Sequence, residues 1–399
     1  GAVAGKGPAE QAAPLSSERI LKSKGWNIEA SAEGIRMSST VKLDVSADED
    51  EEYYGRYFYG EGHRIYICTD LDRPMVICLQ RKADNVTNLL RSVTRTPQGL
   101  HRSMIRPSEK YKEQLRRAGG HEDARFQKVR PSAFDSAALG LLKLEQRDVR
   151  FKTHLTIGIL YRAKGQKEED QFYSNQETTP DFEEFLEFVG ERVQLKGWTE
   201  FRGGLDIKSN TTGKESVYTT YENRYKIMFH TSTLLPYTET DEQQVERKRH
   251  IGNDLIVIIF QEGDEAFEPT WMRSNMNHIY FVVRKVPQPK NYDEMVPETL
   301  NTQIMELSNT MGAEVLRRHS ICGLQHTYYE LSVVSKSGVP PFGPYLHYPP
   351  VFRKDVYFRH FLLTKLVNAH RAALQAPSFS KKLTYAHTEL LKDFISSFL

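Results

Sequence analysis

The sequence predicts an α/β protein in which helices cover a central β-sheet, together with a smaller α+β domain nearer the N-terminus. Two almost continuous apolar runs, at 255–260 and 278–283, are typical of central strands that are buried on both faces. Segments beginning at Pro180 and spanning 356–375 place apolar side chains at helical spacing. Strands that alternate with helices favour a helix-covered sheet.

The N-terminal part is expected to form a leader and the small domain. Residues 1–52 are rich in Ala, Ser, Glu and Gly and end in an acidic run, which predicts a mobile leader with one strand near 35–45. Residues 83–95 carry apolar side chains at helical spacing, which predicts a helix. We expect residues 53–140 to form the α+β domain, which begins with two short β-type runs separated by turn residues, at 64–69 and 74–79.

Residues 141–385 are expected to form the larger domain, and residues 386–399 the end of a C-terminal helix. Thr179 is a suitable cap for the helix that begins at Pro180. Proline fits there because the first helical position does not need the N–H that proline lacks. Residues 287–316 begin rich in proline and polar side chains, which indicates a surface excursion. Besides the two apolar runs, strands are predicted at 155–161, 216–221 and 225–230.

Composition excludes several classes of protein. The net charge of +2 argues against a general polyanion binder, which needs a clear basic excess. Three cysteines, none in CxxC or zinc-finger spacing, indicate a reducing compartment and no metal site. The longest apolar run, 255–260, is far shorter than the roughly 20 residues that cross a bilayer. We therefore expect a cytoplasmic protein.

Standard catalytic motifs are missing from the sequence. It contains no HExxH metal helix and no GxSxG nucleophile elbow. Gly213-Lys214 lacks both the upstream glycine and the following hydroxyl residue of a phosphate-binding loop. Self-contained nucleotide binding is therefore not expected.

The most unusual local sequence is RKRHIGND, at 247–254, directly before an apolar run. Residues 240–245 look like the start of a helix, with a cap residue followed by acids. Basic side chains in its last turn complement the helix dipole, and Gly252 and Asn253 both tolerate the left-handed geometry that ends helices. At helical spacing, Arg249 and His250 share a face with Asn253. By pattern alone this is an ordinary helix end, with a phosphate or nucleic-acid patch as the alternative.

Residues 247–254 and the strand after them resemble the catalytic helix of the RapGAP family, which includes the signal-induced proliferation-associated proteins and, more distantly, tuberin. The similarity covers roughly residues 150–375, whereas 53–125 matches the family's smaller dimerisation domain more weakly. The resemblance implies a G-domain-like catalytic domain and a homodimer formed through the N-terminal domain. Further family-like blocks occur in the expected order at 201–206, 212–218, 227–233, 235–238, 339–344 and 351–354.

The resemblance also implies a function. It indicates a GTPase-activating protein that inserts Asn253, as an asparagine thumb, into the active site of a Rap-like small GTPase in its GTP state. Such a chain is a catalytic activator of its partner rather than an independent enzyme. GTP and magnesium belong to the partner, so no cofactor of its own is expected, and the partner's location implies peripheral recruitment to membranes.

The neighbours of Asn253 take supporting roles by the same resemblance. His250 matches a position that supports the thumb or the partner's switch region. Asp254 is expected to hydrogen-bond locally and hold the corner between helix and strand. This sequence departs from the family pattern at Thr156. Some members carry a lysine there, in the strand that precedes the partner-contacting acid, which is Glu168 in this sequence. Besides Asp254, the expected partner-binding residues are Arg247, Lys248, Arg249 and Glu168. The three basic residues are expected either to contact the acidic surface of the GTPase or to buttress the helix.

Two other functions fit parts of the sequence. A non-catalytic GTPase- or scaffold-binding module with a RapGAP-like fold is opposed by the intact 247–254 motif, because a degenerate relative is expected to lose the asparagine first. A nucleic-acid binder would rest on the basic residues 247–250 and on Arg116 and Arg117, and the near-neutral net charge opposes it.

Overall fold

The computed structural model describes residues 19–31, 41–44, 52–81, 89–108, 110–290, 292 and 326–399. Contacts divide the chain into two compact units. The first takes the residues up to 44 together with 153–373, and the second takes 45–152 together with 374–399. The expected domain limits at 140 and 385 both fall inside the second unit.

Secondary-structure elements are numbered in chain order over the described residues. The helices are α1 (Tyr53–Tyr57), α2 (Tyr111–Arg117), α3 (Phe134–Thr153), α4 (Glu169–Ser174), α5 (Pro180–Val189), α6 (Val245–Ile251), α7 (Val356–Gln375) and α8 (Pro377–Ser396). The strands are β1 (Trp26–Ile28), β2 (Arg64–Cys68), β3 (Val76–Arg81), β4 (Leu90–Thr96), β5 (Gly99–Ile105), β6 (Phe126–Lys128), β7 (His154–Arg162), β8 (Glu191–Gln194), β9 (Glu215–Tyr221), β10 (Tyr225–Thr231), β11 (Ile256–Gln261), β12 (Ile279–Val286), β13 (Tyr328–Lys336) and β14 (Val351–Arg353).

The first unit is built on a mixed sheet with strand order β1-β13-β12-β11-β7-β10-β9-β8, and β14 pairs with β13. The four central strands β10, β7, β11 and β12 are parallel, and the outer pairs are antiparallel. Every residue of β11 is buried, as expected for a strand covered on both faces. The prediction of an α/β fold with a helix-flanked sheet is confirmed, and the predicted strands of this unit match β7, β9, β10, β11 and β12 to within three residues at each end.

Helix α5 forms as the sequence predicts. The Thr179 hydroxyl accepts a hydrogen bond from the Phe182 amide at 3.3 Å, and Pro180 occupies the first helical position. Its apolar side chains Phe182 and Phe185 both contact the ring of Phe260 in β11, with centroids 5.4 Å apart. The helix therefore covers the centre of the sheet.

The second unit contains an antiparallel sheet with strand order β5-β4-β3-β2-β6. One face packs against side chains of α1, α3 and α8, including Tyr54, Leu141 and Phe394. The other face packs against α2 through Leu115. Each face of this sheet thus has its own apolar cluster.

The expected helix at 83–95 is wrong for its second half. Residues 82–88 lie outside the described residues, and Leu90–Thr96 forms strand β4. This strand pairs with β3 over six positions and with β5 over seven. The apolar spacing of Leu90 and Val93 suits a helix, but hydrogen bonding to two neighbouring strands decides the conformation.

The prediction of a mobile leader at 1–52 is wrong for residues 19–31 and 41–44. Ile20 is buried and forms a β-bridge with Phe267, and strand β1 pairs with β13. The Asp44 amide donates to the Asn368 side chain at 2.8 Å. Residues 19–31 and 41–44 therefore belong to the first unit. Most of the strand expected near 35–45, and the surface excursion from 293 onwards, lie outside the described residues.

Candidate functional site

The segment that carries the candidate site begins with helix α6. The helix starts at Val245, the last residue of the expected start at 240–245, because Gln244 adopts a left-handed conformation with φ of 49°. The Gln244 carboxamide accepts from the Thr238 amide at 3.0 Å and donates to the Thr238 carbonyl at 2.6 Å. The Asp241 carboxylate accepts from the Val245 amide at 2.7 Å, so an acid does satisfy the helix N-terminus.

Gly252 ends the helix through a close backbone approach. Its amide donates to the Lys248 carbonyl at 2.7 Å, and its φ is −66°. The helix therefore ends at the expected place, but neither Gly252 nor Asn253 adopts the left-handed geometry that both tolerate, since neither has a positive φ. A Cβ at position 252 would lie 2.5 Å from the Lys248 carbonyl oxygen, which explains why glycine occupies this position.

We expect Gly252→Ala to destabilise the protein by about 1–3 kcal/mol, the usual cost of forcing an atom into a packed site. The added methyl group must push away backbone rather than a flexible side chain. Urea unfolding measures the loss. Gly62→Ala is the matched control, because a Cβ there meets no atom within 4 Å. Equal unfolding free energies for the two variants would contradict the account.

Asn253 is exposed at the corner between α6 and β11. Its amide donates to the His250 carbonyl at 3.0 Å, and its side-chain Nδ2 donates to the Arg249 carbonyl at 2.7 Å. Because a carbonyl oxygen can only accept, the NH₂ group must face the helix. No residue in the described part of the chain donates to Oδ1. The corner thus presents a carboxamide oxygen outward, with its nitrogen held by the helix.

Asp254 is buried directly behind Asn253. Its carboxylate lies 2.9 Å and 3.1 Å from Nδ1 of His230 in β10, and Nε2 of that ring lies 2.8 Å from the Gly203 carbonyl oxygen. Asn277 is also buried, and its Nδ2 donates to the carbonyls of Ile251 and Asp254 at 2.9 Å and 2.6 Å. The carboxylate of Asp254, which was expected to bond locally, thus meets a histidine that lies 24 residues away along the chain.

His250 is half-buried and packs edge-on against His230, with ring centroids 5.3 Å apart. Its Nε2 is buried, and no described residue forms a hydrogen bond with it. Burial lowers the pKa of His250, and the nearby charges of His230 and Arg249 lower it further. The ring is therefore neutral at pH 7, on the same side of the corner as the buried aspartate.

Arg247 points inward and is 2% exposed. Its Nη1 donates to the carbonyls of Tyr173 and Asn175 at 2.6 Å and 2.7 Å, and its Nε donates to the Leu235 carbonyl at 3.2 Å. The guanidinium also lies 5.2 Å from the centre of the Tyr237 ring. Burial lowers the pKa of Arg247 to about 10, so the group stays charged at pH 7. Of the two roles expected for Arg247, this geometry serves the support of the helix.

The other expected partner-binding residues differ in exposure. Lys248 forms ion pairs with Asp170, and with Glu169 at 3.3 Å, both at the start of α4. Arg249 is exposed and pairs with Glu246 of its own helix, at 3.0 Å. Glu168, directly before α4, is exposed. The structure therefore brings α4 to α6 through Lys248 and leaves Arg249 and Glu168 on the surface.

Sequence reasoning assigned no role to His230, Gly203 or Asn277. The first two lie in the blocks 227–233 and 201–206, and a histidine inside an otherwise apolar strand was a usable signal. Nothing in the sequence near Asn277 indicated its contact with the corner. Within the described ranges, no group of three or more His, Cys, Asp or Glu side chains is arranged to hold a metal ion. No helix there is long and apolar enough to cross a membrane.

Comparison with known proteins assigns the chain to a family. The Rap/ran-GAP family model matches residues 172–388, more than half of the chain. The chain belongs to the Rap/ran-GAP family. The matched range of this Rap/ran-GAP chain contains the whole corner from Arg247 to Asn277, and the predicted family resemblance is confirmed.

Two relatives illustrate the extent of the similarity of this Rap/ran-GAP chain. GTPase-activating Rap/Ran-GAP domain-like protein 3 of Mus musculus is 41% identical over 61% of the chain and 20% of its own length. RapA guanosine triphosphatase-activating protein 1 of Dictyostelium discoideum is 31% identical over 96% of the chain and 39% of its own length. A solved structure of the TSC2 GAP domain has a TM-score of 0.41 and 25% identity, over 55% of this chain and 97% of that one. The chain thus spans a fifth to two fifths of these two relatives.

Proposed function

We propose that this chain stimulates GTP hydrolysis by a Rap-family small GTPase, with Asn253 as the side chain that enters the partner's active site. The observation that carries the proposal is the exposed carboxamide of Asn253, whose oxygen faces outward from a firmly held corner. Membership of the Rap/ran-GAP family and the names of the relatives support the activity.

The chemistry needs a positioned acceptor rather than a base. GTP hydrolysis requires a water molecule in line with the γ-phosphate, which a glutamine of the GTPase commonly orients. A carboxamide offered by the activator replaces that glutamine, because its oxygen accepts from the water and it carries no charge to titrate. With Nδ2 held by the Arg249 carbonyl, Oδ1 is the atom available for the water. The gain comes from positioning and from exclusion of other water.

The remaining residues of the site divide into docking and support. Arg249 and Glu168 are exposed and suit contact with the GTPase surface. His250 supports the thumb from the preceding turn. Arg247 and Lys248 hold the helix against the α4 region through their buried and half-buried contacts. The partner supplies GTP and magnesium, and it recruits this cytoplasmic activator to the membranes where it resides.

Single-turnover GTP hydrolysis on a panel of Ras-family GTPases, including Rap, Rheb, Ral and Ras, tests the proposal. We expect strong acceleration for Rap. Acceleration of Rheb or Ral alone would retain the activity and correct the substrate. Binding to GTP-loaded Rap without acceleration would favour the non-catalytic binding module instead.

A further inference from the structure

His230 lies in a site that requires both of its ring nitrogens to carry protons. The ring is 4% exposed, and its Nε2 faces the Gly203 carbonyl oxygen, which can only accept. Its Nδ1 faces both oxygens of the Asp254 carboxylate, which is 2% exposed. One proton therefore lies on Nε2, and another lies between Nδ1 and the carboxylate.

The second proton belongs to the ring. A histidine has an ordinary pKa of about 6.5 and an aspartic acid one of about 3.9, so the imidazole is the stronger base of the pair. The result is a buried pair of imidazolium and carboxylate. Burial by itself lowers the pKa of His230, but the charge of Asp254, its hydrogen bond and the Gly203 carbonyl together raise that pKa above its ordinary value.

We propose that His230 is a positioning residue for GTPase activation, which in its doubly protonated form ties Asp254 to the loop at Gly203 and so holds the Asn253 carboxamide in place. The activity of this corner then depends on a proton that never touches the substrate. The hydrolysis arm of the inference rests on the proposed function, whereas the protonation of His230 does not.

The contacts of Asp254 connect the His230 interaction to the backbone of Asn253. Its carboxylate is held by His230, its carbonyl accepts from Asn277 at 2.6 Å, and its amide donates to the Ile251 carbonyl at 3.1 Å. Asp254 is the next residue after Asn253, so fixing its backbone and side chain fixes the direction of the thumb. Loss of the ring proton removes one of the three restraints.

Gly203, the acceptor on the other side of His230, is equally confined. Gly203 has φ of 58°, and a Cβ there would lie 2.9 Å from Cβ of Met228 and from Cγ2 of Thr156. The carbonyl that accepts from His230 is therefore held against strands β7 and β10. Such a rigid acceptor cannot follow the ring if the ring moves.

Few charged groups face His230 from the elements packed around it. The corner contributes Asp254, and α6 contributes His250, whose ring meets it edge-on and is neutral at pH 7. Tyr173 of helix α4 is buried and interacts with Asp254, and its pKa is raised by burial first and then by the charges of Glu169, Tyr280 and Asp254. On the neighbouring strand β7, Gly158 lies opposite His230 and carries no charge.

The sign of the pH dependence follows from the raised pKa. A histidine whose folded-state pKa exceeds its ordinary value of about 6.5 stabilises the fold fully below that value, and the contribution disappears as the pH rises through the folded-state pKa. We therefore expect stimulated hydrolysis to decline on the alkaline side, in a single proton step. Asp254→Asn removes the carboxylate charge and shifts this decline to lower pH.

Nitrogen NMR of the intact chain labelled with ¹⁵N-histidine tests the protonation without any GTPase. We expect one histidine with both ring nitrogens protonated at pH 7.5, its signal lost in His230→Gln. A neutral tautomer at His230 would overturn the inference. The protonation state is read from the wild-type protein, and His230→Gln serves only to assign the signal.

Single-turnover hydrolysis from pH 6 to 9.5 tests the positioning. For Asp254→Asn we expect a fall in kcat of about 10²-fold, as for small misplacements of a reacting group, with KM little changed. His387→Gln is the matched control, since it removes a partly exposed histidine 3.5 Å from Asp148 in the other unit. If Asp254→Asn lowers thermal stability but retains the wild-type kcat and pH profile, the pair is structural only. Failure of wild type to stimulate any GTPase would instead refute the proposed function.

Discussion

Asn253→Ala is expected to reduce stimulated GTP hydrolysis by about 10³-fold or more, the scale on which residues inserted into a GTPase active site act. The variant loses the carboxamide oxygen that orients water, and no described neighbour replaces it. The fold loses only the bond from Nδ2 to the Arg249 carbonyl, worth about 1 kcal/mol. Single-turnover hydrolysis, with GTPase binding measured separately, checks both halves.

A matched control and a second variant sharpen this test. Asn27→Ala removes an exposed asparagine from strand β1 and is expected to hydrolyse GTP with its partner like wild type. Asn253→Asp retains acceptor oxygens but cannot donate to the Arg249 carbonyl, so we expect activity between wild type and alanine. The thumb assignment fails if Asn253→Ala stimulates hydrolysis at the wild-type rate.

Arg247→Ala is expected to lower the free energy of unfolding by about 3–5 kcal/mol, because hydrogen bonds that involve a charged group contribute about 1.5–3 kcal/mol each. The three main-chain carbonyls that accept from Arg247 lie at Tyr173, Asn175 and Leu235 and lose this donor. A cavity of guanidinium size adds to the cost. Urea unfolding measures the change, and Arg247→Lys is expected to recover only part of it, because an ammonium cannot reproduce the planar fork.

Comparison of Arg249→Ala with Arg247→Ala separates support of helix α6 from docking to the GTPase. Arg249 is two residues away on the same helix but is exposed, and its ion pair with Glu246 lies on the surface, so we expect a stability change below about 0.5 kcal/mol. Weaker binding to the GTPase is the expected effect of this variant. If Arg247→Ala kept wild-type stability and lost only GTPase affinity, Arg247 would be a docking residue and its buried contacts would be unimportant.

Local sequence pattern was sufficient to predict the structure where one interaction dominates. The strand at 255–260 is apolar throughout and is buried throughout, and Thr179 with Pro180 starts α5 as expected. Pattern failed where long-range pairing competed with local spacing. Leu90 and Val93 suit a helix, but pairing with β3 and β5 makes Leu90–Thr96 a strand.

The site shows the same division. Periodicity alone describes Asn253 as a helix end, and the hydrogen bond from Nδ2 to the Arg249 carbonyl agrees with that description. Its proposed function came from resemblance in several blocks, which carry information that spacing does not. The inward direction of Arg247 could not be predicted, because a basic residue in a last turn is equally compatible with solvent.

The sequence by itself determined the α/β class, most strands of the larger unit, and the candidate position Asn253, because apolar periodicity and short motifs are local properties of the chain. Only the tertiary structure decided how that position is supported. His230, Gly203 and Asn277 lie at least 23 residues from Asp254 along the chain and meet it only after the sheet forms. The hydrogen bonds that orient the corner depend on distances that no local pattern encodes.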